Sequence, residues 1–156
     1  MKKLLLILFV IGGLVSGCSK DDDKPVIPQE AEVTLFDKNI KPIAYINYVD
    51  DDLTIYMWDG IPVAYLEESG LIYHFNGQFL GWYMNGVIYD KEGYAVAAKK
   101  GVVRGEIKMN ETYAESVIKG VKHVKPIPHV HSLKPKTPSF RDKWSETSLT
   151  DFFLPQ

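Results

Sequence analysis

One cysteine, Cys18, stands in 156 residues, which excludes an internal disulfide framework and a thiolate zinc cluster. Neither sign of charge is in marked excess, with 18 lysines and arginines against 20 acids and a formal net charge of -2. Without a basic surplus there is no electrostatic case for nucleic acid as a partner. No apolar run reaches the ~20 residues that a membrane-spanning helix needs; Leu4 to Val15 is interrupted by Gly12-Gly13. Signatures of catalysis are missing too. There is no glycine-rich phosphate loop, Ser69-Gly70 is not a nucleophile elbow, and no serine, threonine or cysteine has a base partner at a usable spacing. His129 and His131 fall on one side of an extended strand, but no further carboxylate or thiol stands near them in sequence to complete a metal site. Asp50-Asp51-Asp52 lacks the glycine and glutamate of a calcium loop and reads as a solvated turn. These absences predict a non-enzyme without cofactor or metal, in a chain whose length suits one domain. Hydrophobic residues at 46 % and charged residues at 24 % make that domain globular rather than disordered.

The first segment present is positional. Lys2-Lys3 precede the apolar run, which has the order of an export signal. Its end, Val15-Ser16-Gly17-Cys18, resembles the lipobox of bacterial lipoproteins. That resemblance implies removal of residues 1–17 and attachment of lipid at Cys18. Acyl chains at ~0.8 kcal/mol per buried methylene would then hold the chain on a membrane. Residues 18–32 follow as a tether, and Ser19-Lys20-Asp21-Asp22-Asp23-Lys24 resembles the acidic surface-export signal of lipoproteins in Bacteroides-type bacteria. The resemblance places the protein on the outer membrane, facing outward; a plain solvated spacer, with the protein facing the periplasm, is the alternative.

Of the 19 aromatic residues, 13 lie between Val33 and Lys100, and this stretch repeats itself. Four segments align: Phe36-Asp37-Lys38-Asn39-Ile40-Lys41-Pro42-Ile43-Ala44-Tyr45, Trp58-Asp59-Gly60-Ile61-Pro62-Val63-Ala64-Tyr65, Phe75-Asn76-Gly77-Gln78-Phe79-Leu80-Gly81-Trp82, and Tyr89-Asp90-Lys91-Glu92-Gly93-Tyr94-Ala95-Val96-Ala97-Ala98. Each reads as an aromatic, Asp or Asn, a turn, an aliphatic and a small residue. That pattern predicts four β-hairpins, hence eight short strands in up-and-down order. Asp59-Gly60 and Asn76-Gly77 predict tight type I′ turns, while the two additional residues in the first and fourth copies predict wider ones. The turn at Asp59-Gly60 would set Trp58 opposite Ile61, Tyr56 opposite Val63 and Ile55 opposite Ala64. Alternation leaves both strand faces apolar, so a single open sheet with one wet face does not fit. His74 falls on the small-residue face and reads as a core histidine. The column Ala44, Ala64, Gly81 and Ala97 puts a slim side chain at one place in every hairpin, as close approach around an axis requires.

Residues 33–105, with the tail that follows, resemble the 4-fold beta flower proteins. The resemblance implies an all-β fold of four hairpins about a pseudo-fourfold axis, and it implies no activity. The sequence departs from the pattern at Asn39-Ile40, where a glycine turn is replaced, and at Ala98, where the closing aromatic is missing. Residues 106–156 contain four prolines between positions 126 and 138, predicting an extended Pro-rich tail. With Val121, Val124, Ile127 and Val130 it is too apolar for a free linker, and the expectation is that it packs along the outside of the domain. Ser148 and Asp151 predict the cap of one helical turn. Trp144, Leu149, Phe152 and Phe153 would anchor that turn or form a partner-binding tip.

Two non-enzymatic functions fit. As a binding module, Tyr65, Trp82, Tyr83 and Tyr94 would stack on a glycan or an envelope protein. As a structural or assembly component of the outer membrane, the protein would keep its aromatics in the core. Three or more exposed aromatics in one concave patch would favour the first.

Overall fold

The computed structural model describes residues 31–49, 52–110, 118–133 and 136–154. Cys18, the tether as far as residue 30 and the pair Asp50-Asp51 lie outside the described residues; Glu32, read as the tether's last residue, is instead the first of the barrel's first strand, where it pairs with Asn47. Eight strands form in chain order: β1 (Glu32–Phe36), β2 (Pro42–Asn47), β3 (Thr54–Met57), β4 (Pro62–Leu66), β5 (Leu71–His74), β6 (Phe79–Met84), β7 (Val87–Tyr89) and β8 (Ala95–Ala98). Each pairs antiparallel with the next, and β8 returns to β1 through Ala98 and Phe36, closing a barrel. Closure removes the sheet edges and gives one apolar face an interior to fill.

Fourfold repetition is exact at the level of register. Leu35 pairs with Ala44, Ile55 with Ala64, Ile72 with Gly81 and Ile88 with Ala97. Immediately after each pair the register shifts, and Phe36, Tyr56, Tyr73 and Tyr89 stand opposite Pro42, Pro62, Phe79 and Ala95. A bulge at this point strengthens local twist, which short strands need to curl into a barrel. The aliphatic member of each pair and Ala44, Ala64 and Ala97 are fully buried in one interior cluster. A single helical turn, α1 (Leu149–Phe152), adds Leu149, Phe152 and the following Phe153 to that cluster. Its cap is the one the spacing predicts: the Asp151 backbone N–H donates to Ser148 Oγ at 3.1 Å, and Ser148 Oγ donates to the Asp151 carboxylate at 2.6 Å.

The turns correct two expectations. All four hairpins have loops of one length, closed by the same two backbone bonds. In the second, Met57 N donates to the Ile61 carbonyl and Gly60 N to the Met57 carbonyl. The pairs Asp37/Lys41, His74/Gln78 and Asp90/Tyr94 repeat this geometry. Trp58 therefore lies within the loop rather than opposite Ile61, and Tyr56 meets Pro62 rather than Val63. Only the last loop residue has positive φ (Gly60 91°, Gly77 86°, Gly93 85°, and Ile40 65°), so these are three-residue loops ending in a left-handed residue, not type I′ turns. A two-residue loop with positive φ at both positions occurs instead at Asn85 (52°) and Gly86 (82°), between β6 and β7.

Copies of the repeat differ in which side chain caps the loop. The backbone N–H groups of Lys41, Ile61, Gln78 and Tyr94 are equivalent, and each donates to a side-chain oxygen at 2.9–3.1 Å. Asp37 and Asp90 accept from the position just before the three-residue loop; Asp59 and Asn76 accept from the loop's second residue. Alignment on the acid therefore inserts two residues where the backbone has none. His74 occupies the place of Asp37 and Asp90, half-buried, with Nδ1 accepting from Asn76 N at 3.2 Å. It is a loop cap rather than a core residue.

A further short hairpin, β9 (Val103–Arg104) and β10 (Ile107–Lys108), spans the boundary read at residues 105 and 106. Val102, Ile107 and Met109 cluster with Phe36, Val87, Tyr89, Ala95 and Ala98. Ala98 replaces the aromatic of the other copies because this hairpin fills the space.

Candidate functional site: strapped aromatic grooves

On the barrel's outer face the repeat sets side chains of adjacent hairpins against each other. Tyr45 stacks on Tyr56 (5.4 Å between centroids) and Tyr65 on Tyr73 (5.8 Å). Trp82 and Tyr89, paired across β6 and β7, both meet the ring of Phe140, at 5.7 and 4.7 Å. These three grooves carry the outer aromatics.

A segment of the chain itself lies across them. Gly120 N and His123 N donate to the carbonyls of Trp58 and Gly60; His129 N and Ser132 N donate to those of Phe75 and Gly77; Arg141 N donates to that of Gly93. The docking residues recur every nine positions (120 and 129; 123, 132 and 141). So do the side chains over the grooves. Lys122 Nζ lies 5.8 Å from the Tyr45 and Tyr56 centroids, the His131 ring 4.5 Å from Tyr73, and Phe140 upon Trp82 and Tyr89. Lys119 Nζ adds a cation–π contact 4.2 Å above Tyr45. Acids at the barrel rim meet the strap's polar groups: Glu32 pairs with Lys119 and Lys122, Asp52 with Lys125, and Glu67 stands 3.1 Å from His131 Nε2.

The loop glycines make this strap possible. A Cβ on Gly60, Gly77 or Gly93 would stand 2.0, 2.4 or 2.5 Å from the carbonyl oxygens of Val121, Val130 and Ser139, again nine residues apart. No strap N–H among the described residues donates to a carbonyl of the first loop, and there Ile40 occupies the left-handed position with a 40 % exposed side chain. A left-handed β-branched residue is strained by about 1–2 kcal/mol. Ile40→Gly is therefore expected to stabilise the fold by about 1 kcal/mol after the added chain entropy. Gly77→Ala is expected to destabilise it by about 2 kcal/mol, because strain and strap displacement add. Urea unfolding of both variants checks the opposite signs.

Electrostatics bind strap to barrel in a pH-dependent way. Burial pushes the Glu32 carboxyl up, but hydrogen bonds and charge from Lys119 and Lys122 outweigh it and leave its pKa below the ordinary value. Burial likewise raises Asp52, and Lys125, Asn47 and Thr54 lower it further than burial lifts it. A carboxyl depressed on folding stabilises the folded state fully above its unfolded pKa and loses that contribution as pH falls through the depressed value. Protection of the Gly120 and His123 amides from hydrogen exchange is expected to be constant from pH 7 to 5 and to fall below about pH 4. Glu32→Gln should flatten that dependence. Because these pairs are partly exposed, the change is small, below about 1 kcal/mol.

The phenols of the grooves hold their protons. Burial, with Glu32, Tyr56 and Asp59 nearby, pushes Tyr45 up to about 12; burial and Glu67 raise Tyr65 and Tyr73. Tyr45 Oη, Tyr73 Oη and Trp82 Nε1 are buried without a hydrogen-bond partner among the described residues.

The four aromatics singled out from the sequence occupy different places. Tyr65 and Trp82 join one cluster with Leu71, Tyr73 and Phe79, beneath Phe140. Trp82 is buried there and Tyr65 half-buried. Tyr83 points to the opposite strand face and packs against the barrel interior. Tyr94 follows the fourth loop, with the Arg141 guanidinium 4.7 Å from its ring and Arg141 Nη1 donating to its hydroxyl at 2.7 Å. Residues the sequence reading missed are Lys119, Lys122, His131 and Phe140. The nine-residue recurrence of Lys122, His131 and Phe140, with Lys125 and Lys143 two steps apart in the same period, was the available signal.

A closed eight-stranded barrel built from four bulged hairpins and bound by its own C-terminal segment defines the class of protein. The chain belongs to the 4-fold beta flower family, whose model matches residues 33–153. Comparison with curated proteins and with solved structures gave no match.

Proposed function

We propose that this protein is a non-catalytic structural or assembly component of a bacterial cell envelope, held on the outer membrane by lipid at Cys18 and facing outward. The observation that carries the structural reading is the state of its aromatics. No Phe, Tyr or Trp among the described residues is exposed, and the outer grooves seat the protein's own Lys119, Lys122, His131 and Phe140. Ring faces used for internal docking are unavailable to stack on a sugar. The anchor reading is supported by Val15-Ser16-Gly17-Cys18 after an apolar run and by the acidic tether beyond it.

Metabolic labelling with an alkynyl fatty acid tests the anchor: the full chain should incorporate label and Cys18→Ser should not. A glycan array probed with the full-length Cys18→Ser chain tests the rest, and no retained glycan is expected. Retention lost on Tyr65→Ala would replace the structural reading with glycan recognition.

A further inference from the structure

The strap is turned inside out. From Ile118 to Leu133 an aliphatic residue recurs at every third position: Ile118, Val121, Val124, Ile127, Val130 and Leu133. All six side chains are between 85 % and 97 % exposed. Lys119, Lys122 and Lys125 turn toward the barrel, where Glu32 and Asp52 take their charge. Gly120, His123, His129 and Ser132 present their backbone N–H groups to the loops. An extended chain with three residues per turn has three such faces, and here the uncharged aliphatic one looks outward. A strand adapted to water would reverse this, with ammonium groups in solvent and valines against the aromatic grooves. A regular row of six solvated aliphatic side chains on one face marks a contact with something apolar.

The course of the chain indicates what that is. Glu32, at the start of β1, is the residue that Lys119 and Lys122 grip, so the chain leading from Cys18 enters beside Val121. Residues 19–31 span at most about 45 Å, and the ridge itself is about 47 Å long at ~3.1 Å per residue. A membrane holding Cys18 is within reach of the near end of the ridge. We infer that the aliphatic ridge of residues 118–133 meets the lipid bilayer to which the chain is tethered, holding the barrel at the membrane surface. This rests on the lipid-anchor reading above. Tethering supplies a high effective concentration, so a contact too weak to recruit a free protein still sets orientation.

The test places a nitrobenzoxadiazole label at Ile127→Cys or, as a control, at Val103→Cys in the lipidated full chain, whose Cys18 is blocked by its own lipid. Both variants are reconstituted on phosphatidylcholine vesicles containing nitroxide-labelled lipid. Val103 is 68 % exposed and lies outside the ridge. Quenching is expected to be at least about threefold greater at position 127, and to fall to the control level when Val124→Asp and Val130→Asp are added. Equal quenching in protein that co-floats with vesicles overturns the ridge contact and leaves the anchor standing. Failure to co-float, together with no fatty-acid label, overturns both. Sedimentation as a dimer that Val124→Asp dissociates, without quenching at position 127, assigns the ridge to a second copy instead. Circular dichroism verifies that the exposed-site variants remain folded.

Discussion

Phe152→Ala is expected to destabilise the protein by about 3–5 kcal/mol, the usual cost of emptying a buried aromatic site. The ring is buried with Leu149 and Phe153 among the residues that fill the barrel, and it meets Phe153 edge-to-face at 5.0 Å. A single helical turn has little stability of its own. Once its largest anchor is removed, α1 should detach rather than relax around the void. Urea denaturation should show a lower midpoint, and hydrogen exchange should show that the Phe152 and Phe153 amides lose protection before the strands do. Retention of α1 with a change below about 1 kcal/mol would mean the helix does not support the barrel.

Gly81→Ala should cost about 3 kcal/mol, at the upper end of overpacking in a filled interior. A Cβ at this position would stand 2.0 Å from the Tyr89 carbonyl oxygen and 3.1 Å from two carbons of the Phe152 ring. The ring can move; the carbonyl belongs to the adjoining strand β7 and cannot without opening the sheet. The two substitutions are therefore coupled. Combined with Phe152→Ala, the alanine should cost less than it does alone, by the part due to the ring, while the part due to the carbonyl remains. Thermal melts of the four members of this cycle measure it, with a fall of about 10 °C expected for Gly81→Ala alone. Strict additivity would show that glycine is required there only by the strand.

Much of this was legible along the chain. Four alignable segments gave the strand count, because turn residues and period-two alternation act over a few residues and leave a local trace. The slim column was legible for the same reason: Ala44, Ala64, Gly81 and Ala97 hold one register position in the four hairpins, and the three alanines are buried in the interior cluster. Turn geometry was less so. Asp-Gly and Asn-Gly dipeptides suit a type I′ loop, yet at Asp59-Gly60 and Asn76-Gly77 the bulge that follows makes the loop one residue longer. Asp37 and Asp59 do the same capping work from positions two residues apart, so alignment by chemistry mis-spaced the copies. Tyr65 and Trp82 met in one cluster, but their spacing could not reveal that Phe140 would cover it.

What the residues determined unaided was the unit: its turns, its alternation and its number. Tertiary structure decided which way the C-terminal segment faces. Hydrophobicity alone would turn Val121, Val124 and Ile127 inward; instead, ring faces at Tyr45 and Tyr56 and carboxylates at Glu32 and Asp52 draw in the lysines. Those groups come together only when β1, β2 and β3 pair around the barrel. A segment whose three faces differ in chemistry takes its orientation from the surface it meets, and that surface does not exist until the barrel has closed.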